Sequence, residues 1–485
     1  MTDVRTTASA SGARITGDDI QHAVAWHAAL QTLVPNAGVD GVIVEAAVPG
    51  NIDDVVIQKR YLPDEYTQVK AAVSAAAPAT IAWLTDVNRK RGSILQRFHT
   101  SWRDLTKDGQ RPQLNLVTNR SIDPSDPILT LRDRCDRLAS RVRDSTKPAT
   151  VSAVAELRTH LQVGEDELFD FLSHVRLGTD ASEAAWRERV REISFAAGVK
   201  ADEAAFRLGI SEVREWVKSD RTPRRAEDIA EAVERLAISA EQPFAIVSIN
   251  ALEAPPPISG ASVVLDWVDR FRGTEARNRR GLKNTEDWPV LREELMTAQR
   301  TLRASGARRV LLTGSMRLPT WFAAGAAFQE TAGFTIAKMK GSELWTKPQD
   351  LPPPARIEVS QAISELTVGS DIALAIAIAD DPTHDAQRHM ALAHPDVPVM
   401  TVRPASGVSG ASISGLPHGF ALAIAVRDLV RDIARIARPP VLHLFMACPA
   451  GFAVLLGGVW DRVPSTQTYE DLGAYGYEPA FFIPN

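Results

Sequence analysis

The chain has 485 residues, which is too long for one ordinary hydrophobic core and indicates two or three domains. Its hydrophobic content of 45% and charged content of 24% are typical of a soluble globular protein, and its formal net charge of −5 gives no overall nucleic-acid-binding signature. The only two cysteines, Cys135 and Cys448, exclude a disulfide scaffold and a cysteine-rich zinc site, and they fit a reducing compartment.

The first residues carry no targeting pattern. Met1–Ala13 is small and polar and lacks a basic start followed by an apolar stretch. The longest apolar stretches elsewhere are too short to cross a bilayer. We therefore expect a cytoplasmic protein, with a disordered tail over residues 1–14.

Residues 15–134 are predicted to form a compact α/β domain, because a helical pattern is followed by short runs with strand composition. A second helix carries the sequence SILQRFHTSWRDL. In chain order, the predicted elements are a helix from Gly17, strands over 41–48, 53–60 and 65–72, the second helix, and a strand over 113–120.

Residues 135–240 are predicted to be an all-α connecting region, with helical patterns beginning already at residue 128 and separated by short turns. Within this region the segment FRLGISEVREWVKSD (206–220) superficially resembles a DNA-reading helix-turn-helix. A helix–glycine–helix spacing is common in helical bundles, so the segment is more simply explained by packing.

Residues 241–485 show repeated strand–loop–helix units after a proline-rich break. The strands are continuously apolar, as in RVLLTG, IALAIAI and VLHLFMA, which is typical of parallel sheet covered on both faces. A second proline-rich link divides the region near residues 350–357. The pattern predicts two Rossmann-like halves in tandem, and the whole chain is an α/β multidomain protein.

The first candidate site lies on the two strands predicted over 53–60 and 65–72. A short turn would make these strands antiparallel and bring a carboxylate, an amide and an ammonium together, and side chains two residues apart share a face. Hard divalent ions such as magnesium or manganese take oxygen ligands and keep several waters, so Asp54 and Gln68 would suffice as metal ligands. Lys70 would then orient the attacking water or stabilise charge on a phosphate.

Glu45, on the adjacent strand, is a candidate further ligand, and Gln21, on the opening helix, is a candidate supporting residue. Asp53 competes with Asp54, which is preferred because it adjoins the apolar run. The simplest alternative is a turn followed by a solvated strand face.

This set of residues resembles the PD-(D/E)xK nuclease superfamily, in its variant with glutamine in place of the acid. In chain order, the set is a glutamine on a helix, a glutamate on a strand, an aspartate and a Gln-x-Lys motif. The resemblance implies a restriction-endonuclease-like domain that hydrolyses DNA with a bound metal. It assigns the metal ligands to Asp54 and Gln68, the catalytic lysine to Lys70, and supporting roles to Glu45 and Gln21.

A local excess of positive charge follows this candidate site. Residues 86–120 contain eight lysine or arginine residues and three aspartates, against the sign of the whole chain. Such side chains bind DNA phosphates without reading sequence. A solvated helix face is the alternative. The predicted DNA contacts are Lys90, Arg91, Arg97 and Arg103.

The second candidate site lies where strands of the C-terminal region end. Gly314, Ser315 and Arg317 occupy a loop between a strand and a helix, where α/β folds bind ligands and where a phosphate meets free N–H groups. There is neither a GxGxxG motif nor a Walker lysine. Phe445 or Trp345 could stack on a base beside Pro449, although Phe445 fits a core position equally well.

Four segments of this region together resemble the SAVED domain, a sensor of two fused CARF-like units found in CBASS anti-phage systems. They are WVDRFRG, RRVLLTGSMRLPTWFAAGAAF, HLFMACPAGFAVLLGGVW and TYEDLGAYGYEPAFFI. The resemblance implies that a cyclic oligonucleotide binds, most plausibly an adenine-containing cyclic trinucleotide, and that binding drives head-to-tail assembly of several chains.

The order of a nuclease followed by SAVED resembles the CBASS effector endonucleases. It implies a second messenger that switches on the degradation of double-stranded DNA. The rival hypothesis is a cyclic-nucleotide-binding regulator whose nuclease-like domain only binds DNA or a partner protein.

Overall fold

The computed structural model describes residues 10–47, 52, 54–72, 77–88, 91–107, 109, 111–133, 136–179, 181–253, 260–341 and 343–485. The chain divides into two compact units. The N-terminal unit contains the described residues up to Pro243 together with Gly260, and the C-terminal unit contains Phe244–Glu253 and Ala261–Asn485. None of the described helices is both long and apolar enough to cross a lipid bilayer.

The N-terminal unit is built on a five-stranded mixed sheet with the order β1-β2-β3-β4-β5. The first three strands pair antiparallel, and the last two add in parallel. Its elements are α1 (Ala10–Gln31), β1 (Val39–Val44), β2 (Val55–Lys59), β3 (Glu65–Val69), α2 (Ile81–Thr85), α3 (Ile94–Thr106), β4 (Gln113–Val117), α4 (Ala139–Arg143), α5 (Pro148–Leu161), α6 (Glu165–Ser173), β5 (Val175–Gly178), α7 (Glu183–Ala197), α8 (Glu203–Ser219) and α9 (Ala226–Arg235).

Alternating side chains give this sheet two buried faces. Val56 and Tyr66 lie on one face and join a core that includes Phe98 of α3 and Phe171 of α6. The helix α1 contacts β1, β2 and β3 and packs with α7 and α8. The ends of β1, β2 and β3 are therefore positioned by helices as well as by strand pairing.

The structure corrects three expectations for this unit. The helix α1 already begins at Ala10, so the predicted tail is wrong over residues 10–14, and residues 1–9 lie outside the described residues. The region predicted as all-α contains β5, whose four residues are too few to show alternation. The helical pattern over 128–142 yields only a 3-10 turn at Leu129–Leu131 and the short α4, with residues 134 and 135 outside the described part.

The segment with helix-turn-helix character is one uninterrupted helix, α8. Its glycine, Gly209, is buried against the indole of Trp26 in α1, and a Cβ at this position would lie 2.2 Å from a ring atom. The glycine therefore serves the close approach of two helices, and the packing explanation holds.

The C-terminal unit contains two sheets. The first has the order β10-β9-β8-β6-β7 and the second β11-β13-β12-β14-β15-β16, and in each the inner strands are parallel. The elements are β6 (Ala245–Asn250), β7 (Val263–Asp266), α10 (Trp288–Ala304), β8 (Arg309–Ser315), α11 (Leu318–Ala327), β9 (Thr335–Lys340), β10 (Glu343–Thr346), β11 (Ile357–Val359), β12 (Ile372–Ala377), α12 (Thr383–Ala393), β13 (Val399–Pro404), α13 (Leu416–Ile436), β14 (Val441–Ala447), α14 (Ala450–Gly458), β15 (Ser465–Asp471) and β16 (Tyr477–Ile483).

The two sheets share one hydrophobic core, which contains Val247 and Leu312 of the first sheet and Leu374 and Leu444 of the second. The helices α11 and α14 pack against each other inside it. The first sheet ends at Thr346 and the second begins at residue 357, so the break expected near 350–357 falls between them. Each of the apolar runs singled out in the sequence forms a parallel inner strand, β8, β12 or β14.

We predict that Gly209→Ala lowers the free energy of unfolding of the N-terminal unit by about 1–2 kcal/mol, because the added methyl group overpacks the contact with Trp26 by more than the helix propensity of alanine regains. Urea denaturation followed by far-UV circular dichroism measures the change. Gly178→Ala is the matched control, since a Cβ there meets atoms only at ordinary contact distance, 3.6 Å or more. Equal stability of the two variants would contradict the packing role.

Candidate functional sites

The first candidate site forms where β2 begins and β3 ends. The antiparallel register pairs Val55 with Thr67, which sets Asp54 opposite Gln68. The side-chain amide of Gln68 donates a hydrogen bond from Nε2 to Asp54 Oδ2, and the backbone N–H of Val69 donates to the same oxygen at 2.6 Å. Gln68 is only 3% exposed and Asp54 is half-buried, so the pair is held in a defined place.

Glu45 and Lys70 flank this pair. The N–H of Glu45 donates to the backbone oxygen of Asp54 at 3.0 Å, which places Glu45 beside Asp54 across the strands. Its φ of 52° is a left-handed conformation that is strained for a non-glycine residue, and such strain concentrates at functional sites. Lys70 directly follows β3, is half-buried, and is fixed by an N–H bond of 2.8 Å to the oxygen of Val117.

The remaining predicted nuclease residues are placed differently. Gln21 lies in α1 and is half-buried, and no hydrogen bond or ion pair connects it with the described atoms of Asp54 or Gln68. Asp53, the rival of Asp54, lies outside the described residues. The structure therefore brings Asp54, Gln68, Glu45 and Lys70 to one end of the sheet, and Gln21 lies on the helix that contacts β1, β2 and β3.

The predicted DNA contacts lie around α3. Arg91 and Arg103 are exposed, whereas Arg97 is half-buried and its Nε donates to the oxygen of Ser93 at 3.4 Å. Arg103 lies 3.9 Å from Glu167, a loose and exposed ion pair. Lys90 lies outside the described residues. Among the described residues of this set, Arg103 combines an exposed side chain with a position on a regular helix.

The second candidate site lies at the edge where β6 and β8 end. The parallel register pairs Asn250 with Ser315, whose backbone oxygen accepts N–H bonds of 2.8 and 2.9 Å from Ala251 and Leu252. Gly314 has a φ of 111°, and a Cβ there would lie 2.0 Å from the oxygen of Ile249. Only glycine permits this turn, which carries the chain to the start of α11.

Arg317 stands at this edge as the residue before α11. Its Nε and Nη2 donate to the backbone oxygen of Arg279, at 3.3 and 3.0 Å, and its Nε lies 3.8 Å from Oε1 of Glu470 in β15. Burial lowers the pKa of Arg317. Protein oxygens therefore hold the guanidinium through its Nε and Nη2 donors.

Glu470 is fully buried, and burial raises its pKa to about 8 despite the opposing charge of Arg317. Neighbouring Asp471 accepts from Arg280, whose Nη1 lies 3.1 Å from its backbone oxygen and 3.4 Å from its carboxylate. Glu470, Asp471 and Arg280 were not among the residues predicted from the sequence. Their roles depend on strands and a loop far apart in the chain, and an acidic pair at a strand end is the only local signal.

Two predicted stacking residues are in the core, which corrects their assignment as ligand platforms. Trp345 is 0% exposed on β10, and its Nε1 donates to Glu343 Oε2 at 2.8 Å. Phe445 is also 0% exposed and stacks on Tyr469, with ring centroids 4.3 Å apart. Both rings face inward and already have partners. Pro449, half-buried before α14, remains at the edge where β14 ends.

Residues 293–483 match the SAVED family, described as "SMODS-associated and fused to various effectors sensor domain", so the C-terminal unit contains a SAVED domain. Among solved structures, the chain is similar to a Cap4 SAVED/CARF-domain containing receptor from Acinetobacter baumannii with the cyclic trinucleotide 2′3′3′-cAAA, at 13% identity and a TM-score of 0.47, covering 96% of this chain and 98% of that one. A Cap4 receptor from Moraxella osloensis matches at 15% identity and a TM-score of 0.44, covering 97% and 100%. No curated protein matches the chain.

The raised pKa of Glu470 makes a prediction about stability. Burial raises the pKa of this carboxyl to about 8 in the folded state, whereas the unfolded chain releases the proton near the ordinary glutamate pKa of 4.5. The wild-type protein should therefore lose stability as pH rises from about 5 to 8. Glu470→Gln removes that titration while keeping the shape. We expect the loss, on the order of 2–4 kcal/mol, to be absent from the variant.

Urea denaturation of both proteins at pH 5.5 and pH 8.5 measures this difference. The same pH dependence in the wild type and in Glu470→Gln would contradict a buried, protonated Glu470.

Proposed function

We propose that this protein is a DNA endonuclease controlled by a cyclic oligonucleotide. The C-terminal unit would sense the nucleotide, and the N-terminal unit would cut DNA. The observation that carries the proposal is the SAVED match over residues 293–483, which contains the Ser315–Arg317 loop at the carboxyl edge of the first sheet. A nucleotide sensor needs an output, and the polar cluster of the N-terminal unit is the candidate in this chain.

The sensor site would bind the ligand through a phosphate. The carboxyl edge of parallel strands is where α/β sheets take ligands. Arg317 uses Nε and Nη2 for the oxygen of Arg279, and a guanidinium carries five donors, so further N–H groups remain for a phosphate. The start of α11 adds the positive end of a helix dipole. An adenine-containing cyclic trinucleotide is the ligand that we propose.

The nuclease site would use a hard divalent ion, magnesium or manganese, and its donor set fits one. Asp54, Gln68 and Glu45 all carry oxygen donors at one end of three neighbouring strands. Because Gln68 Nε2 donates to Asp54, the amide oxygen of Gln68 would be the atom that binds the ion. When bound, the ion polarises a phosphoryl oxygen and acidifies a water.

Lys70 would act on the substrate. Its ammonium would stabilise the charge that develops on the scissile phosphate, or would orient the attacking water. The half-buried position after β3 reduces the screening of that charge by solvent. Arg91 and Arg103 would hold the DNA backbone without reading sequence.

The ligand would control cutting through self-association of several chains. A ligand shifts an equilibrium only as far as it binds one state better than the other, so the nucleotide must bind the assembled state more tightly than the isolated chain. An ungated, sequence-indifferent nuclease would attack the DNA of its own cell, which explains why control is needed.

One observation favours a second candidate function. The part of the chain that the structure describes contains no group of three histidine, cysteine, aspartate or glutamate side chains placed to hold a metal. The proposed metal site has only two described carboxylates, Asp54 and Glu45, beside the amide of Gln68, and such a sparse set would also suit a regulator whose N-terminal unit binds DNA or a partner protein without cutting. Ligand-dependent DNA binding with no cleavage in either magnesium or manganese would support it over the endonuclease.

For the sensor site, we predict that Arg317→Ala weakens binding of cyclic triadenylate at least 10-fold, because a charge-assisted hydrogen bond to phosphate is lost. Isothermal titration calorimetry on the full chain measures the dissociation constant. Arg308→Ala is the matched control, since Arg308 is exposed and precedes β8 at the opposite edge of the same sheet. Wild-type affinity in Arg317→Ala would remove Arg317 from the site.

For the nuclease site, we predict plasmid cutting in magnesium only when cyclic triadenylate is present, and a rate at least 100-fold lower in Lys70→Ala. Gel electrophoresis of the plasmid over time measures both. Lys218→Ala, which removes an exposed lysine at the end of α8, should cut at the wild-type rate. Equal cutting with and without the nucleotide would contradict control, and normal cutting by Lys70→Ala would contradict the site.

A further inference from the structure

The turn between β15 and β16 displays an exposed tyrosine. Tyr475 is 89% exposed, whereas the two other tyrosines of this hairpin are packed. Tyr469 stacks on Phe445 with a centroid distance of 4.3 Å, and the Tyr477 ring meets Phe445 edge-on at 4.9 Å. The hairpin therefore directs two rings into its own core and leaves the third one to solvent.

The backbone that carries Tyr475 is held in place on both sides. The N–H of Leu472 donates to the oxygen of Gly476 at 2.8 Å, and Asp471 Oδ1 accepts the N–H of Gly473 at 2.6 Å. Arg280 adds a bond of 3.1 Å to the backbone oxygen of Asp471. A ring on a fixed backbone has only its two side-chain torsions to order on binding, so contact with a ligand costs little entropy.

This turn lies at the same edge as the proposed nucleotide site. Arg317 lies 3.8 Å from Glu470, the residue before Asp471 at the end of β15. The strands β14 and β15 pair in parallel, so Pro449 and the turn follow strands that leave the sheet in the same direction. An anion-binding group and an exposed aromatic ring therefore flank one edge of the C-terminal unit.

A nucleotide can bind to both of these groups, since its phosphate pairs with a guanidinium and its base stacks on an aromatic ring. A single ring on a tight turn is far smaller than the area of roughly 800 Å² per partner that a stable protein interface needs, which favours a small ligand over a second protein surface. Trp345 and Phe445 do not offer a stacking surface for a base, because both are buried.

We propose that Tyr475 stacks on a purine base of the nucleotide whose phosphate binds at Arg317. This assignment rests on the proposed sensor function and adds to it the residue that reads the base. The phenol ring closes one side of the site, and Asp471, held by Arg280, fixes the turn that presents it. Tyr475 is a ligand-contacting residue in this assignment, while Asp471 and Arg280 are positioning residues.

The test compares the dissociation constants of the full-length protein for 3′3′3′-cAAA and 2′3′3′-cAAA, at protein concentrations below those that give assembly. We expect Tyr475→Ala to bind about 5- to 100-fold more weakly, as for the loss of one base–aromatic stack. Tyr475→Phe should bind within about 2-fold of the wild type, because it keeps the ring. Tyr61→Ala is the matched control, since Tyr61 is another highly exposed tyrosine, in the N-terminal unit.

A second measurement reports contact directly. Of the ten tryptophans, nine are buried and Trp83 is half-buried, so the indole introduced by Tyr475→Trp should dominate quenching by acrylamide. Saturating nucleotide should reduce that quenching at least 2-fold in Tyr475→Trp and leave it unchanged in the wild type.

The outcomes separate the two proposals. Binding by the wild type with unchanged affinity in Tyr475→Ala overturns the Tyr475 assignment alone. Unchanged affinity with loss of assembly would assign the ring to a contact between copies of the chain, which also overturns base stacking. No binding of either nucleotide by the wild type overturns the proposed sensor function and the stacking assignment with it.

Discussion

Strand register is the constraint on which both candidate sites depend. In the N-terminal unit, the pairing of Val55 with Thr67 sets Asp54 opposite Gln68, and a slip of one residue would move one of the two side chains to the other face of the sheet. In the C-terminal unit, the parallel pairing of Asn250 with Ser315 brings two strand ends together and starts the loop that carries Arg317. Each site is thus specified by the buried apolar residues that fix the register.

The apolar pattern was enough to predict much of this framework. The strands β8, β12 and β14 are continuous apolar runs, and β2 and β3 flank a short turn, so both their existence and their order follow from local sequence. The approach of Asp54 to Gln68 follows from the same two strands. Such features can be predicted from residues that are close together in the sequence.

The features that were not predicted from the sequence arise from contacts between segments that are far apart in the chain. The strand β5 has four residues and forms because β4 offers a free edge. Trp345 has the composition of a stacking platform and is buried because of how its strand packs. Glu470 becomes part of a site only when β15 lies beside the loop that holds Arg317. Periodicity contains none of this information, because it describes one segment at a time.

The pairing of Arg317 with Glu470 has a consequence for the way a ligand would bind. Burying a carboxyl without full compensation by a positive charge raises its pKa, here to about 8, so protonated and ionised Glu470 are close in free energy at neutral pH. A phosphate at Arg317 would neutralise part of the positive charge that otherwise stabilises the carboxylate of Glu470. It would also add negative charge near that carboxylate. Both effects favour the protonated acid. If an anionic nucleotide binds at this edge as proposed, its binding would therefore be coupled to uptake of a proton by Glu470, and the affinity should fall as pH rises through the pKa of that carboxyl.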